Sequence, residues 1–353
     1  MKILVINPGS TSTKWAVYHD RELKWKHTQQ HSSSEIAKFS HVNDQLEMRR
    51  QATIDALTQA GIPMEFDVII ARGGLVKPVP SGVYRLDRKL IDDLKNSELE
   101  HACNLGGLIA ADLADFIGCP AYIADPEVVD EMIPEARITG IRMIRRRSIF
   151  HALNTKAVAR RYAWSVGRRY EDLNLILVHL GGGISVGAHR KGKVIDVNNA
   201  LNGDGPFSPE RAGSIPADQL VEICFSGMYT QREIKQMLNG RGGLQALVNT
   251  TDVEKVADKA AHGRQPYKLA LDAMLYSVAK EVGARAVSLQ GKVDAIIITG
   301  GIAHSDYCVR GLKKWIEWIG PIVVRAGEDE LDSLAFNAYG AMTGSIPVSE
   351  YTP

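Results

Sequence analysis

A chain of 353 residues is long for one hydrophobic core, so two domains are the expected organisation. Its 45% hydrophobic and 24% charged residues are ordinary for a globular protein and exclude a fibrous or disordered chain. The formal net charge of +1 gives no whole-chain electrostatic case for binding nucleic acid or an anionic membrane, and we expect neither partner.

The cysteines are scattered, with no CxxC pair and no metal-like spacing, which is typical of reduced thiols in a cytoplasmic protein. They are Cys103, Cys119, Cys224 and Cys308. The apolar stretch near the N-terminus is too short for a signal-peptide core, and no run approaches the roughly 20 residues needed to span a bilayer. We therefore expect a cytoplasmic protein that is neither secreted nor inserted in a membrane.

Residues 1–30 are predicted to form strands around a turn rich in small and hydroxyl side chains. The predicted strands cover residues 2–7, 14–18 and 23–28. The first turn presents backbone N–H groups, hydroxyls and one ammonium group to a common point, and these are the groups that bind a phosphate chain. We assign this turn to phosphate binding, and for its lysine an exposed strand charge is the alternative. The assigned residues are Asn7, Ser10, Ser12 and Lys14.

Strands and helices alternate through the rest of the first half. Apolar runs predict strands over 66–71 and 121–124, and a helix is predicted over 44–59. This alternation specifies an α/β fold with a partly parallel sheet. The basic run 145–147 has no interleaved aromatic residues and is predicted to be a solvated approach to a helix, with nucleic-acid binding as the minor alternative.

The second half of the chain repeats the strand order and turn spacing of the first. Strands are predicted over 175–180, 184–189 and 194–197, and a glycine turn over 181–183 takes the place of the first turn. A further glycine turn follows the strand predicted over 294–299. These turns predict a nucleotide clamped between two duplicated domains.

Helical segments set the predicted domain boundaries. The segment 149–161 is predicted to be a continuous helix that acts as a hinge, and 267–290 to be a packing helix. The segment 331–345 follows the last glycine turn and is expected to return to the first domain. The predicted domains are residues 1–148 together with 335–353, and residues 149–334.

The glycine turns are weak evidence one by one, because glycine after a strand usually reflects turn geometry. No GxxxxGK[ST] run and no GxGxxG followed by a helix is present, which argues against Walker-type and Rossmann sites. Together the turns resemble the phosphate and adenosine motifs of the actin, sugar kinase and Hsp70 superfamily. The resemblance implies an α/β fold of two duplicated ribonuclease H-like domains with an interdomain cleft.

Within that superfamily the chain resembles the acetokinase family over nearly its whole length, and butyrate kinases more closely than acetate kinases. The motifs that carry the resemblance begin at residues 7, 71, 150, 179, 210 and 299. RGGLVKP at 72–78 and HALN at 151–154 follow the butyrate kinase wording, whereas acetate kinases would have RVVHGG and FHGTSH. Acetate kinases would also have an Asn in place of Gly182, so that contact is not carried over.

The resemblance implies an ATP- and Mg²⁺-dependent carboxylate kinase that converts butyrate to butyryl phosphate, reversibly and by direct in-line transfer. A kinase for acetate, propionate or a branched short-chain acid is the near alternative, since one or two methylenes are worth only about 1–3 kcal/mol in an apolar pocket. A non-enzymatic motor or filament subunit of the superfamily is the distant alternative. A homodimer is expected only by analogy with relatives.

Phosphoryl transfer to a carboxylate brings two anions together, so the site needs cations and hydrogen-bond donors. Arg72 and Arg211 are the predicted cations, because a guanidinium can hold a carboxylate or a phosphoryl group bidentately. A surface ion pair is the alternative for each. His151 resembles the family histidine that donates to the transition-state phosphoryl oxygens, and a local hydrogen bond at a helix end is its alternative.

Asp125 is assigned to catalysis and to the metal, because it ends a predicted strand where α/β active sites collect their residues. The family comparison adds one member of the acidic group that follows the strand at 322–324. Glu330 is chosen from that group over Glu328 and Asp329, and carboxylates that favour a helix N-terminus are the alternative for all three.

The remaining assignments concern the acyl group and the nucleotide. His101 and Asn104 resemble a pair near the acyl site, and structural hydrogen bonding is the equal alternative. Phe150 is expected to pack on the acyl tail, with core packing as its alternative. The expected nucleotide contacts are His179, Gly181, Gly182, Gly183, Gly300 and Gly301.

Overall fold

The computed structural model of the chain describes residues 1–97, 99 and 101–352. The chain divides into two compact units. Unit 1 comprises Met1–Asp130, Ala152–Ala157 and Asp329–Pro353, and unit 2 comprises Glu131–His151 and Val158–Glu328. These bounds differ from the predicted domains, because residues 131–148 belong to unit 2 while residues 152–157 and 329–334 belong to unit 1.

The strands form one sheet in each unit. In chain order they are β1 Lys2–Pro8, β2 Ser12–His19, β3 Glu22–Gln30, β4 Val68–Arg72, β5 Val83–Arg85, β6 Ala121–Ala124, β7 Asn174–Leu180, β8 Ile184–Arg190, β9 Lys193–Val197, β10 Ala295–Gly300, β11 Ile322–Ala326 and β12 Val348–Ser349. Among the described residues, the unit 1 sheet has the order β12-β5-β6-β4-β1-β2-β3, and the unit 2 sheet has the order β11-β10-β7-β8-β9.

The two sheets share a repeated pattern of strand directions. In unit 1, β1 pairs antiparallel with β2, β2 antiparallel with β3, and β1 parallel with β4, which pairs parallel with β6. Unit 2 repeats this pattern. There β7 pairs antiparallel with β8, β8 antiparallel with β9, and β7 parallel with β10, which pairs parallel with β11. The predicted internal repeat is therefore confirmed, with β5 and β12 as additions to the first copy.

The helices lie between and after these strands. In chain order they are α1 Ser33–Ile36, α2 Leu46–Gln59, α3 Arg88–Lys95, α4 Cys103–Ile117, α5 Pro134–Arg137, α6 Ala152–Ser165, α7 Ala217–Phe225, α8 Gln231–Leu238, α9 Gly243–Val248, α10 Val253–Ala261, α11 Tyr267–Ser288, α12 Asp306–Ile316 and α13 Glu330–Thr343. Short 3₁₀ helices cover Val42–Gln45, Tyr170–Asp172 and Gly301–His304. Within the described residues, none of the helices combines the length and the apolar composition that crossing a bilayer requires.

In unit 1, β1 is buried on both faces, which explains its continuous apolar run. Alternate side chains of a strand point to opposite faces. Leu4 and Ile6 pack in a core that includes residues of α2 and α4, whereas Ile3 and Val5 pack in a core that includes residues of α13. The segment predicted over 331–345 is thus helix α13, and it completes the unit that β1 begins.

Unit 2 is built in the same way around β7. Ile176 and Val178 point into a core formed with α11 and α12, and Leu175 and Leu177 point into a core formed with residues of α6. The predicted packing helix is α11, and its predicted apolar face is buried, as expected from its helical spacing. Helix α6 begins at Ala152, three residues later than predicted, so His151 lies at its N-terminal boundary.

In the basic run 145–147, Arg145 and Arg147 are exposed ahead of α6, as predicted, whereas Arg146 is partly buried. Arg146 instead donates to Asp196 at 2.8 Å and to the Val197 carbonyl at 2.8 Å. Asp196 also accepts from Arg285 and from the Ser288 hydroxyl. The sequence could not show this, because a buried arginine and a solvated one have the same local spacing.

Asp196→Ala is expected to lower the free energy of unfolding by about 3 kcal/mol, because it leaves two largely buried guanidinium groups short of negative charge. Chemical denaturation measures this loss. Asp172→Ala is the matched control, since it removes an exposed ion pair with Arg169, and exposed pairs contribute little. Equal losses in the two variants would contradict a structural role for the Asp196 cluster.

Candidate functional site

A cavity of about 780 Å³ lies within unit 2, in the size range of small-molecule sites. Gly181 and Gly182 line it from the turn after β7, and Gly301 lines it from the turn after β10. Glu210 and Glu328 add carboxylates to its wall. The structure therefore brings two of the predicted glycine turns to one pocket, as their parallel neighbouring strands require.

The two turns meet because Gly300 lies against β7. Gly300 has φ +90°, and a Cβ at this position would collide with the Leu180 carbonyl. Its N–H and C=O both bond to Gly327, at 3.1 and 3.0 Å. A Cβ on Gly301, by contrast, would have no heavy atom within 4 Å. Gly300 thus serves the packing of the strands, while Gly301 faces the open pocket.

Arg211 fills the space beside Gly183. Its guanidinium donates to the Ala200 carbonyl and lies 3.8 Å from Glu210 Oε1. Its Nε is buried without a hydrogen-bond partner among the described residues. Burial lowers the pKa of Arg211, and Glu210 partly opposes this shift. A buried cation with an unsatisfied donor beside a glycine turn is suited to an anionic ligand such as a phosphate.

Gly183→Ala is expected to lower kcat/KM about tenfold, because the new Cβ would collide with Arg211 Nη1 and displace the guanidinium. Stability should change little, since a flexible side chain can move aside. Gly140→Ala is the matched control, because Gly140 is exposed, does not line the cavity, and a Cβ there would have no heavy atom within 4 Å. Steady-state kinetics and thermal unfolding of both variants test this, and equal activities would contradict it.

His151 and His179 form a stacked pair in unit 2. Their ring centroids are 3.8 Å apart and their planes are within 10°. His179 is fully buried, and its Nε2 lies 3.2 Å from Glu328 Oε1. His151 Nδ1 lies 2.8 Å from the Ser185 hydroxyl, which also accepts from the His151 N–H at 3.2 Å. A hydroxyl that accepts from this amide can donate its proton to Nδ1, which favours the tautomer with the hydrogen on His151 Nε2.

In unit 1, Arg72 lies between two carboxylates. Its Nε donates to Glu127, and its Nη1 lies 3.2 Å from Glu330 Oε2. The Asn7 amide donates to the same Glu330 oxygen at 2.7 Å. Three predicted site residues, Asn7, Arg72 and Glu330, therefore meet in one polar cluster, and Glu127 joins them as a residue that the sequence did not indicate.

The charges of this cluster depend on burial. Burial by itself lowers the pKa of Arg72, but Glu330 and Glu127 outweigh it and raise that pKa well above its ordinary value. Burial raises the pKa of Glu127, against the lowering effect of Arg72. Burial and Glu127 also raise the pKa of the nearby Cys103 thiol. Arg72 is consequently a permanent cation, whereas the thiol is neutral at physiological pH.

The predicted phosphate turn connects β1 to β2, and Ser10 lies exposed at its tip. Arg49 of α2 is fully buried beneath it. The Arg49 guanidinium donates to the carbonyls of Gly9 at 2.9 Å, Ser10 at 3.1 Å and Ser12 at 3.1 Å. Burial lowers the pKa of Arg49 to about 10, so it is charged at neutral pH. The sequence did not indicate this residue, because an arginine in a helix is usually exposed.

The residues predicted near the acyl group and the metal make local hydrogen bonds. Asp125 is buried with φ +40°, and its Oδ1 accepts from the Gly82 N–H at 3.0 Å. Asn104 is buried, accepts from the Leu75 N–H at 2.7 Å and donates to the Leu99 carbonyl at 3.0 Å. These contacts favour the structural alternative for Asn104.

His101 and Phe150 lie in different units. His101 Nδ1 lies 3.0 Å from Cys103 Sγ in unit 1. Phe150 is 97% buried in unit 2, since only 3% of its surface is exposed. Core packing, the alternative reading for Phe150, is therefore present, and its contact with an acyl tail stays a prediction.

The acidic group 328–330 spreads over the two units. Glu328 lines the unit 2 cavity beside His179, whereas Glu330 joins Arg72 and Asn7 in unit 1. No three His, Cys, Asp or Glu side chains cluster as a preformed metal site in the described part of the chain.

Comparison with known proteins identifies the family of the chain. A model of the acetokinase family matches residues 134–321, which is more than half of the sequence. A probable butyrate kinase from Phocaeicola vulgatus is 60% identical over the whole of both chains. The chain belongs to the acetokinase family. Butyrate kinase 1 from Clostridium acetobutylicum is 47% identical over 99% of both chains.

Solved structures of an acetate kinase and a propionate kinase share the fold. The acetate kinase of Porphyromonas gingivalis aligns with a TM-score of 0.78 at 18% identity, covering 97% of this chain and 99% of its own. A propionate kinase from Francisella tularensis aligns with a TM-score of 0.75 at 20% identity, covering 95% and 98%. The predicted fold class and family are therefore confirmed, and membership of a kinase family implies the use of ATP or ADP with a small-molecule acceptor.

Proposed function

We propose that this protein is a butyrate kinase, which transfers the γ-phosphoryl group of ATP to the carboxylate of butyrate and runs in either direction. The observation that carries the proposal is full-length identity of 47–60% to proteins named butyrate kinase or probable butyrate kinase. The unit 2 cavity, with its two glycine turns, supports a nucleotide site. The buried cations Arg72 and Arg211 support an anionic substrate pair.

The nucleotide is proposed to lie in the unit 2 cavity. Gly181, Gly182 and Gly301 allow phosphate oxygens close to the backbone, because they present no side chain to the pocket. The buried Nε of Arg211 supplies a donor that needs an acceptor. In unit 1, the turn residues Asn7, Ser10, Ser12 and Lys14 are proposed to bind phosphate. The other proposed nucleotide contacts are His179, Gly183 and Gly300.

The chain's own residues are proposed to stabilise charge. Arg72 holds the carboxylate of the acid, and Arg211 and His151 neutralise the phosphoryl oxygens as negative charge develops on them. No general base is needed, because a carboxylic acid is already ionised at neutral pH. The acceptor can therefore attack phosphorus directly, in line with the leaving ADP oxygen.

Mg²⁺ would neutralise phosphate charge when it is bound with the nucleotide. Asp125 and Glu330 are the proposed ligands, because both supply carboxylate oxygens of the kind that Mg²⁺ prefers. Each already accepts hydrogen bonds, Asp125 from the Gly82 N–H and Glu330 Oε2 from both Asn7 and Arg72. Donors of this sort orient a carboxylate and leave further lone pairs on its oxygens.

Acid specificity is the finer part of the proposal. Trapping the acyl phosphate with hydroxylamine, with ATP and a series of acids from two to five carbons, gives kcat/KM for each acid. We expect kcat/KM to be highest for butyrate and about 5–200-fold lower for the acids that are one methylene shorter or longer, since each methylene is worth about 1–3 kcal/mol. If kcat/KM is highest for acetate or propionate, that acid replaces butyrate as the proposed substrate. ATP hydrolysis without formation of acyl phosphate would contradict a carboxylate kinase.

The location and the oligomeric state complete the proposal. We propose that the protein is cytoplasmic, because its cysteines are free thiols, two of them buried. A homodimer is proposed by analogy with the family. Light scattering of the purified chain tests the second point, and a monomer mass at micromolar concentration would refute it.

A further inference from the structure

The carbonyl oxygens of the turn between β1 and β2 are directed inward. Those of Gly9, Ser10 and Ser12 accept from the buried Arg49 guanidinium, and that of Thr11 accepts from the His31 N–H at 2.8 Å. A carbonyl oxygen carries partial negative charge and would repel a phosphate. These four carbonyls are engaged within the protein, and the Gly9 N–H also bonds to the Ser12 carbonyl at 2.8 Å. The ligand side of the turn is thus left to its hydroxyls and its other N–H groups.

We propose that Arg49 is a positioning residue for phosphate binding, which holds the carbonyl oxygens of Gly9, Ser10 and Ser12 inward and so directs the donors of the turn toward the phosphates. The inference rests on the proposed assignment of this turn to the nucleotide. Arg49 does not contact the substrate in this role. It acts through the backbone of the turn.

The guanidinium geometry is what the turn requires. Nη1 donates to Gly9 and Ser12, Nη2 donates to Ser10, and Nε donates to Gln45 Oε1 at 3.1 Å, which fixes the plane of the group. A lysine ammonium is one point charge and cannot span these carbonyls from one position. Substitution of Arg49 by lysine therefore keeps the positive charge and removes the forked arrangement of donors.

A second contact joins Arg49 to the end of the turn. Arg49 Nη1 donates to the Thr13 hydroxyl at 3.1 Å, and that hydroxyl lies 2.8 Å from His31 Nε2. Because the hydroxyl already accepts from Arg49, it is placed to donate to an unprotonated Nε2. Burial lowers the pKa of His31, and the Arg49 charge adds to this effect, so the histidine stays neutral. The turn is thus held from inside by one cation and one neutral ring.

The test compares Arg49→Met and Arg49→Lys with Arg50→Met. Arg50 is the neighbouring residue on α2, and it pairs with Asp112 near the surface. We expect Arg49→Met to weaken ADP binding, measured by calorimetry, about tenfold or more and to lower kcat/KM for ATP about 100-fold. The KM for butyrate should change much less. Arg49→Lys should fall between Arg49→Met and wild type, and Arg50→Met should match wild type.

Hydrogen exchange in the absence of nucleotide supplies a readout that does not depend on activity. Faster exchange confined to amides 9–13 in Arg49→Met supports the positioning role, and unchanged exchange with unchanged ADP affinity overturns it. A proportional loss for ATP and butyrate also overturns it, because that pattern indicates general damage. If Arg49→Met fails to fold, the same criteria apply to Arg49→Lys.

The proposed function and this inference can fail separately. A wild-type protein that makes no acyl phosphate but binds ADP, with binding weakened in Arg49→Lys, refutes the kinase and supports the positioning role. Wild-type kinase activity with unaltered ADP affinity in the Arg49 variants supports the kinase and refutes the positioning role.

Discussion

Replacing Arg72 by methionine is expected to reduce acyl phosphate formation by at least about 1,000-fold and to lower the free energy of unfolding by about 3–5 kcal/mol. The loss of activity follows from the proposed role, because the acid would lose the cation that holds its carboxylate. The loss of stability follows from the contacts with Glu127 and Glu330, which would be left as buried carboxylates without a counter-ion.

Variants can separate the two effects of Arg72. Adding Glu127→Gln to Arg72→Met removes one uncompensated carboxylate, so stability should recover in part while activity should not. Arg88→Met is the control for loss of an arginine, since its side chain is 96% exposed. Full recovery of activity in the double variant would show that Arg72 serves only to balance Glu127.

The stability of Arg72→Met should also depend on pH. Burial already raises the pKa of Glu127, and loss of Arg72 removes the main opposing effect. A carboxyl group whose folded pKa lies above its unfolded value takes up a proton on folding, so stability falls as pH rises through that window. Denaturation should therefore show a larger gap to wild type at pH 8 than at pH 5. An equal gap at the two values would contradict this account of the cluster.

Replacing His151 by alanine is expected to lower kcat about 100- to 1,000-fold with little change in either KM. This is the range for loss of one donor to a developing oxyanion. The Ser185 hydroxyl favours the His151 tautomer with a proton on Nε2, so Ser185→Ala should cause a smaller loss of the same kind. Steady-state kinetics at saturating ATP and butyrate measure both effects.

The alternative for His151 is a purely local hydrogen bond at the start of α6. His262→Ala is a matched control, because that ring is exposed and bonds only locally to Asp258 in the contacts that the structure describes. Unchanged kcat in His151→Ala, with a native thermal transition, would dispose of the catalytic role. A large rise in KM for ATP with unchanged kcat would make His151 a binding residue instead.

The sequence was informative where burial imposes a period or a turn. The apolar runs of β1, β7 and β10, each followed by a turn of small residues, predicted these strands, and the parallel order of β1 and β7 with their neighbours predicted the duplication. Helix α13 was predicted from its periodicity. Its place in unit 1 was expected from its position after the last glycine turn.

The sequence did not predict which charged residues are buried. Arg49 lies in α2 with the spacing of a surface charge, and nothing local shows that the turn above it supplies carbonyl acceptors. Glu127 and the Arg146 cluster were missed for the same reason, since their partners are distant in sequence. Asp125 was selected as a strand-end carboxylate, and its bond to Gly82 depends on a loop conformation that no spacing encodes.

Unit 1 is made from the beginning and the end of this sequence together with residues 152–157, and unit 2 is made from the rest of the chain between them. A ribosome therefore releases the first strands long before α13, which covers one face of their sheet and brings Glu330 to Arg72. Unit 2 is translated in the interval and can fold while that face of β1 is still uncovered. The nascent N-terminal sheet thus keeps an apolar face uncovered until α13 emerges, and transiently exposed apolar surface of this kind favours aggregation during synthesis.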